Sequence, residues 1–84
     1  MNNKFILESL ASDLKRVALG LHRGSNTMAL RFLNEALKRR DEVEQKNLEP
    51  YIKKLLSTLD SSIDSENALM YSTLIQNYTL YMKF

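Results

Sequence analysis

The feature that most constrains the fold of this chain is the spacing of its apolar residues, which recur every three or four positions. In the first segment they are Leu7, Leu10, Leu14, Val17 and Leu21. This spacing places side chains on one face of an α-helix, whereas a half-buried strand needs strict alternation. The repeat predicts an amphipathic first helix, capped by Asn2 or Asn3 and stopped near Gly24 rather than Gly20.

Three further segments have helical spacing. Ser25, Asn26 and Thr27 offer capping side chains, and a second helix is expected from about Thr27 to Gln45. Pro50 fits the first turn of a short third helix. The Asp- and Ser-rich stretch 60–67 favours caps and turns, which predicts a break before a fourth helix from about Ser65 to Met82.

The expected fold is therefore all-α: a small antiparallel bundle of four helices, or three if the last two are continuous. The 84 residues fall within the size of one domain, so residues 1–84 are expected to share one core. Cysteine is absent from the chain, which excludes disulfides and thiolate zinc sites. Such a bundle must be held together by packing or by oligomerisation.

The sequence offers little that could carry catalysis. His22 is the only histidine, and it stands at a predicted helix end, where its cation would favourably meet the negative terminus. The sequence lacks a Glu-x-x-His or His-Glu-x-x-His spacing that could hold a metal on one helix face. We expect no enzyme activity, no cofactor and no metal.

The targeting signals in the sequence are equally few. Only a three-residue apolar run precedes Glu8, so Met1 to Leu14 does not resemble a signal peptide. The longest uncharged stretch, Asn67 to Met82, has sixteen residues and contains several polar ones. It is too short and too polar to cross a bilayer, and we expect a cytoplasmic protein without a membrane partner.

The uneven distribution of charge along the chain makes nucleic acid the alternative partner. The net charge of +2 is small for a nucleic-acid binder, but residues 1–56 carry eleven Lys and Arg against seven Asp and Glu. Within them, the candidate anion or partner contacts are Arg31, Lys38, Arg39 and Arg40. The turn at Gly24 resembles that of a DNA-binding helix-turn-helix, although Arg23 and Ser25 stand where apolar residues are expected.

The basic residues also have an ordinary interpretation as a solvated helix face. Glu35 and Arg39 are four residues apart, as are two neighbouring pairs of opposite charge, so most of this charge is expected to be neutralised within the helix. Arg40 falls inside the apolar stripe, where it must extend to solvent, pair with a carboxylate or contact a partner. Glu44, one turn further on, is the nearest candidate carboxylate.

The fourth segment is apolar over most of its circumference. Its main stripe consists of Ala68, Tyr71, Ile75, Tyr78 and Met82. Leu69 and Leu80 point away from that stripe, and the remaining polar strip is expected to be Ser72, Gln76, Thr79 and Lys83. A helix of this kind is normally buried on more than one side.

These patterns favour a non-enzymatic protein-interaction or structural module that self-associates, most simply as a homodimer. The predicted interface consists of Leu69, Met70, Tyr71, Leu74, Tyr78, Leu80, Tyr81 and Met82. Tyrosine and methionine are enriched at interface centres, which supports this choice. The alternatives are a small nucleic-acid-binding regulator and an enzyme subunit whose active site is completed elsewhere.

Overall fold

The structure, a computed structural model, describes residues 2–46 and 48–82. Its central element is the helix Asn3–His22 (α1), which packs against the helix Asn26–Glu42 (α2) on one side and the helix Ser65–Leu80 (α4) on another. The helices of the described residues are α1 (Asn3–His22), α2 (Asn26–Glu42), α3 (Pro50–Thr58) and α4 (Ser65–Leu80). The predicted all-α bundle of four helices is confirmed for this part of the chain.

The ends of α1 follow the local signals in the sequence. Asn2 is the N-cap, and its side-chain oxygen accepts a hydrogen bond from the Phe5 amide at 2.8 Å. At the other end, Gly24 has a φ of +75°, a conformation that favours glycine. The Ser25 amide then donates to the Gly20 carbonyl at 2.8 Å, which closes the helix end. The predicted stop at Gly24 is confirmed.

The predicted end of α2 at Gln45 is wrong, because the helix ends at Glu42. Val43 leaves the helix in an extended conformation and is buried in the core. Asn3 then holds Glu44 at both backbone groups, donating to its carbonyl at 2.8 Å and accepting from its amide at 3.0 Å. These contacts supply hydrogen-bond partners to the amide and carbonyl of Glu44, which another helical turn would otherwise have to provide. At the start of α2, Ser25 is the N-cap but its side chain makes no capping hydrogen bond.

The break between α3 and α4 is confirmed. Ser62 donates to Asp60 Oδ1 from both its backbone amide and its hydroxyl, at 2.8 and 2.6 Å. These two hydrogen bonds lower the pKa of Asp60, because they favour the ionised carboxylate. Asp64 then caps α4 by accepting from the Asn67 amide at 2.7 Å. Pro50 occupies the first turn of α3, as predicted.

The apolar core is shared by all four helices. The stripe predicted for α1 is buried from Leu7 to Val17, while Leu21 is half-buried at its edge. Helix α3 is short but contributes Ile52, Leu55 and Leu56 to the same cluster as Leu7 and Ile75. A second cluster at the other end of α1 contains Val17, Ala18, Leu33 and Ala68.

Helix α4 is rotated relative to the sequence expectation. The residues that it buries are Ala68, Ser72, Ile75 and Thr79. The prediction that Ser72 and Thr79 face outwards is therefore wrong, while Gln76 is exposed as expected and Lys83 lies outside the described residues. Ser72 donates to the Ala11 carbonyl at 2.6 Å, and Thr79 donates to the Gln76 carbonyl at 2.7 Å. Their hydroxyls can be buried because both have acceptors.

The close approach of α1 and α2 predicts that Gly20→Ala destabilises the protein. A Cβ at Gly20 would lie 2.8 Å from the Ala29 nitrogen, a backbone atom that cannot move without moving α2. The clash should outweigh the gain of about 1 kcal/mol in helix propensity. We expect a net loss of about 1–2 kcal/mol in the free energy of unfolding, measured by urea denaturation.

Asn34→Ala is the matched control, because Asn34 is exposed on α2 and alanine there should leave stability unchanged or raise it. A Gly20→Ala protein as stable as the unsubstituted chain would contradict the close packing of the two helices.

Candidate interaction surface

The outer face of α4 carries most of the exposed large apolar side chains in the described residues. Their exposed fractions are 52% for Leu69, 47% for Met70, 41% for Leu74, 72% for Leu80 and 85% for Tyr81. The chain has no charged residue between Asn67 and Met82. Five of the eight residues in the predicted interface are thus accessible to a partner.

The other three residues of the predicted interface pack inside the molecule. Tyr71, Tyr78 and Met82 are half-buried against the main core cluster. The Tyr78 hydroxyl accepts from the Glu49 amide at 3.2 Å, and its ring meets Tyr51 edge-on with centroids 5.8 Å apart. The Tyr71 hydroxyl lies 3.3 Å from Thr58 Oγ1. These tyrosines attach α3 to α4, so we expect them to support an interface rather than to form its centre.

The exposed apolar residues of α4 fall on two flanks. Leu69 and Leu80 form what we call the α1 flank, on the side of the helix next to α1. Met70, Leu74 and Tyr81 form the α3 flank, on the side where Tyr71 and Tyr78 contact α3. The two flanks are separated by roughly 110° around the helix, as follows from about 100° per residue. One partner helix could therefore cover one flank fully but not both.

A groove between α1 and α4 runs beside the α1 flank. Its wider end, of about 350 Å³, is lined by Lys15, Ala18, Leu19, His22, Ser65, Glu66 and Leu69. A second depression of about 290 Å³ continues along the same two helices and is lined by Glu8, Ala11, Ser12, Lys15, Ser72 and Gln76. The groove is apolar at the Leu19 and Leu69 end and polar in its middle.

His22 lies at the rim of this groove as the last residue of α1, where its side chain is exposed. This position suits an imidazolium at the negative end of a helix. In residues 2–46 and 48–82, no group of three or more His, Asp or Glu side chains is placed to hold a metal ion. No helix in these residues is long and apolar enough to cross a membrane.

Two of the four candidate anion contacts are engaged within the molecule. Arg39 donates from Nε to Asp13 Oδ2 at 2.8 Å. Arg40 donates from Nη1 to the Leu59 carbonyl at 2.6 Å and from Nε to Asp41 at 3.1 Å. The prediction that Glu44 pairs with Arg40 is therefore wrong, because Arg40 bonds the Leu59 carbonyl at the end of α3 and the carboxylate of Asp41 instead. Among the other two, Arg31 lies 5.9 Å from the Phe32 ring and Lys38 is exposed.

A polar cleft of about 450 Å³ lies beside Arg40, between the end of α2 and α3. Its lining includes Asp41 and Lys53 as well as Arg40. Because Arg40 is already bonded to Asp41, Lys53 is the cation of this lining that an anion could still meet. Its chemistry gives weak support for anion binding.

The ion pair between Asp13 and Arg39 is the feature that the sequence reasoning missed. Asp13 is buried although it is charged, and it also lies 3.8 Å from Arg16. The spacing along α1 could have indicated this burial. Asp13 lies seven residues from both Ile6 and Gly20, which places it on the same helix face, and all three residues are buried. An acid in that row predicts a basic partner on the neighbouring helix.

Comparisons with models of protein families, with curated proteins and with solved structures find no match for this chain.

The buried carboxylate predicts a measurable coupling between Asp13 and Arg39. Arg39→Met should lower the free energy of unfolding by about 1–3 kcal/mol, because Asp13 stays buried without its main partner. The double variant Asp13→Leu with Arg39→Met should lose less than the two single losses together, since both charges are removed. Urea denaturation of the three variants gives the coupling energy.

Lys38→Met provides the control, because it removes an exposed cation at the adjacent position and should change stability by no more than about 0.5 kcal/mol. Additive losses in the double variant would show that the pair contributes no coupling.

Proposed function

We propose that this chain is a non-enzymatic, self-associating helical module that acts through protein contacts made by the exposed face of α4. The observation that carries the proposal is the combination of five exposed apolar side chains with sixteen residues free of charge. Scattered exposed leucines are ordinary, but a continuous uncharged helix face is typical of an interaction surface. A cytoplasmic location remains the expectation from the sequence.

The chemistry of α4 favours protein over the other classes of partner. Helices that lie on membrane surfaces carry Lys and Arg on their polar side, whereas the exposed polar residues of α4 are Glu66, Asn67, Thr73, Gln76 and Asn77, none of them basic. Nucleic acid would need free cations. The four candidate anion contacts lie instead on α2, where Arg39 and Arg40 have partners within the molecule.

A second copy of this chain is the partner that best fits an uncharged surface. A two-fold contact brings the same patch together from both copies, so a patch of one charge sign would repel itself. The outer face of α4 avoids that repulsion from Asn67 to Met82. A closed dimer is also the commonest symmetric assembly.

The expected dimer is modest in affinity. Two neighbouring helices of this length present a face of about 24 by 20 Å. Such a face supports an interface near or below the ordinary value of about 800 Å² buried per partner. We therefore expect a weak dimer that dissociates on dilution, with a Kd on the order of tens of micromolar.

Light scattering behind size-exclusion chromatography tests the proposal. The chain has a mass of 9.8 kDa, and we expect a mass near twice that value at high concentration. Leu69→Glu with Leu80→Glu should shift the protein towards the monomer, because burying two carboxylates per copy opposes association.

Leu30→Glu is the matched control. Leu30 is 57% exposed on α2, so its replacement adds the same charge away from α4 and should leave the dimer intact. A clean monomer for the unsubstituted chain from about 1 to 100 μM would contradict self-association, since a dimer with a Kd of tens of micromolar should be populated at the upper end of this range.

A further inference from the structure

The exposed side of α1 has a residue pattern that matches the α1 flank of α4. Five exposed residues recur on α1 at spacings of three and four: Phe5, Glu8, Ser12, Lys15 and Leu19. On α4 the exposed residues Leu69, Thr73, Gln76 and Leu80 do the same. Each row has an apolar residue at both ends and polar residues in the middle, and each occupies one helix face.

The two rows run side by side in opposite directions. Ser72 on α4 is bonded to Ala11 on α1, and the groove brings Leu69 to the end of α1 that carries Leu19. Leu80 is eleven residues further along α4, about 16 Å away, which places it towards the Phe5 end. The combined surface, which we call the α1–α4 face, has a polar centre between two apolar pairs, and His22 and Glu66 lie beside the pair of Leu19 and Leu69.

Glu8 and Lys15 are the charged residues within the α1 row, and they cannot pair with each other. They are seven residues apart, about 10.5 Å along the helix axis. In the part of the chain that the structure describes, neither takes part in an ion pair. Arg16, by contrast, is held towards α2 by Asp13 and by the Phe32 ring, 5.3 Å from its guanidinium carbon.

We infer that two copies of the chain pack their α1–α4 faces together about a two-fold axis that crosses α1 between Glu8 and Lys15. The inference rests on the proposed self-association and names the surface and register that produce it. Helix α1 then runs antiparallel to α1 of the other copy, and Glu8 meets Lys15 of the partner subunit. Symmetry repeats this contact, so each dimer contains two of these charge pairs.

The same axis brings the apolar ends together. The midpoint of Leu69 and Leu80 lies within about one helical turn of the axis, given the level at which Ser72 meets Ala11. Because the two-fold axis doubles this offset, Leu69 lies roughly 9 Å along the helix from Leu80 of the partner subunit, while Leu19 lies nearly level with Phe5 of the partner subunit. Four exposed apolar side chains per copy are covered in this arrangement.

Other arrangements leave one or both of these charges without a partner. A two-fold axis parallel to the helices would lay α1 of one copy over α4 of the other, so that Lys15 would lie near Glu66 of the partner subunit while Glu8 would face the uncharged Thr73 and Gln76. Packing through the α3 flank would leave both charged residues outside the contact. The crossing axis is the one that pairs both charges, and opposite charges across an interface fix its register.

Charge reversal tests the register directly by sedimentation velocity. Glu8→Lys and Lys15→Glu should each weaken the dimer by about tenfold or more, because each places two like-charged contacts in the interface. The double variant Glu8→Lys with Lys15→Glu restores opposite charges and should recover the affinity to within about threefold. Raising the salt concentration should reduce all of these differences.

Mixing the two single variants gives the sharpest result. One chain then carries two positive charges at these positions and the other carries two negative charges, so both contacts of a mixed dimer are attractive. We expect a one-to-one heterodimer at concentrations where each variant alone is a monomer. Glu35→Lys mixed with Lys38→Glu is the control, since these exposed residues of α2 carry the same charges and should give no such exchange.

The outcomes separate the inference from the proposed function. A monomeric unsubstituted chain overturns both. The dimer could also keep its affinity through every change at Glu8 and Lys15 but dissociate when Leu74→Glu is introduced on the α3 flank. That result overturns the register, while self-association through α4 stands. Thermal melting followed by circular dichroism checks that each exposed substitution leaves the fold intact.

Discussion

Small residues on two sides of α1 set the geometry of the whole molecule. On the α2 side, the absence of a side chain at Gly20 lets the helices approach until Ala29 lies at contact distance. On the α4 side, Ala11 and Ala18 are buried, as are Ala68 and Ser72 opposite them. Backbones can approach closely only where side chains are small, and this fixes the rotation of each helix about its axis.

The rotation of α4 decides which surface the protein offers. Because Ser72 and Thr79 satisfy their hydroxyls with carbonyl acceptors, the helix can bury them and pack closely on α1. Leu69 and Leu80 are consequently left at the surface. Exposed apolar area on this helix is therefore a consequence of the way the core is packed, and the surface that we propose for self-association has the same origin.

Charged residues contribute to the fold at a few specific points rather than through a general ion-pair network. Arg39 reaches the buried Asp13 across the α1–α2 contact, and Arg40 bonds the carbonyl of Leu59 at the end of α3. These contacts use the cations that the sequence offered to nucleic acid. Glu8 and Lys15 remain on the outer face of α1 with opposite signs, and so they can give direction to a contact that apolar residues alone would not orient.

The sequence by itself determined where most helices begin and end, because these signals are local. Asn2, Gly24 and Pro50 act through their own backbone and near neighbours, and the apolar spacing of α1 needs no knowledge of the other helices. Tertiary structure decided the features that depend on distant residues. Asn3 bonds the backbone of Glu44, two residues beyond the end of α2 and 41 positions away, and Ser72 bonds Ala11 across 61 positions. The rotation of α4 and the partners of Arg39 and Arg40 belong to the same class, since a side chain can select an acceptor only after the helices have been brought together.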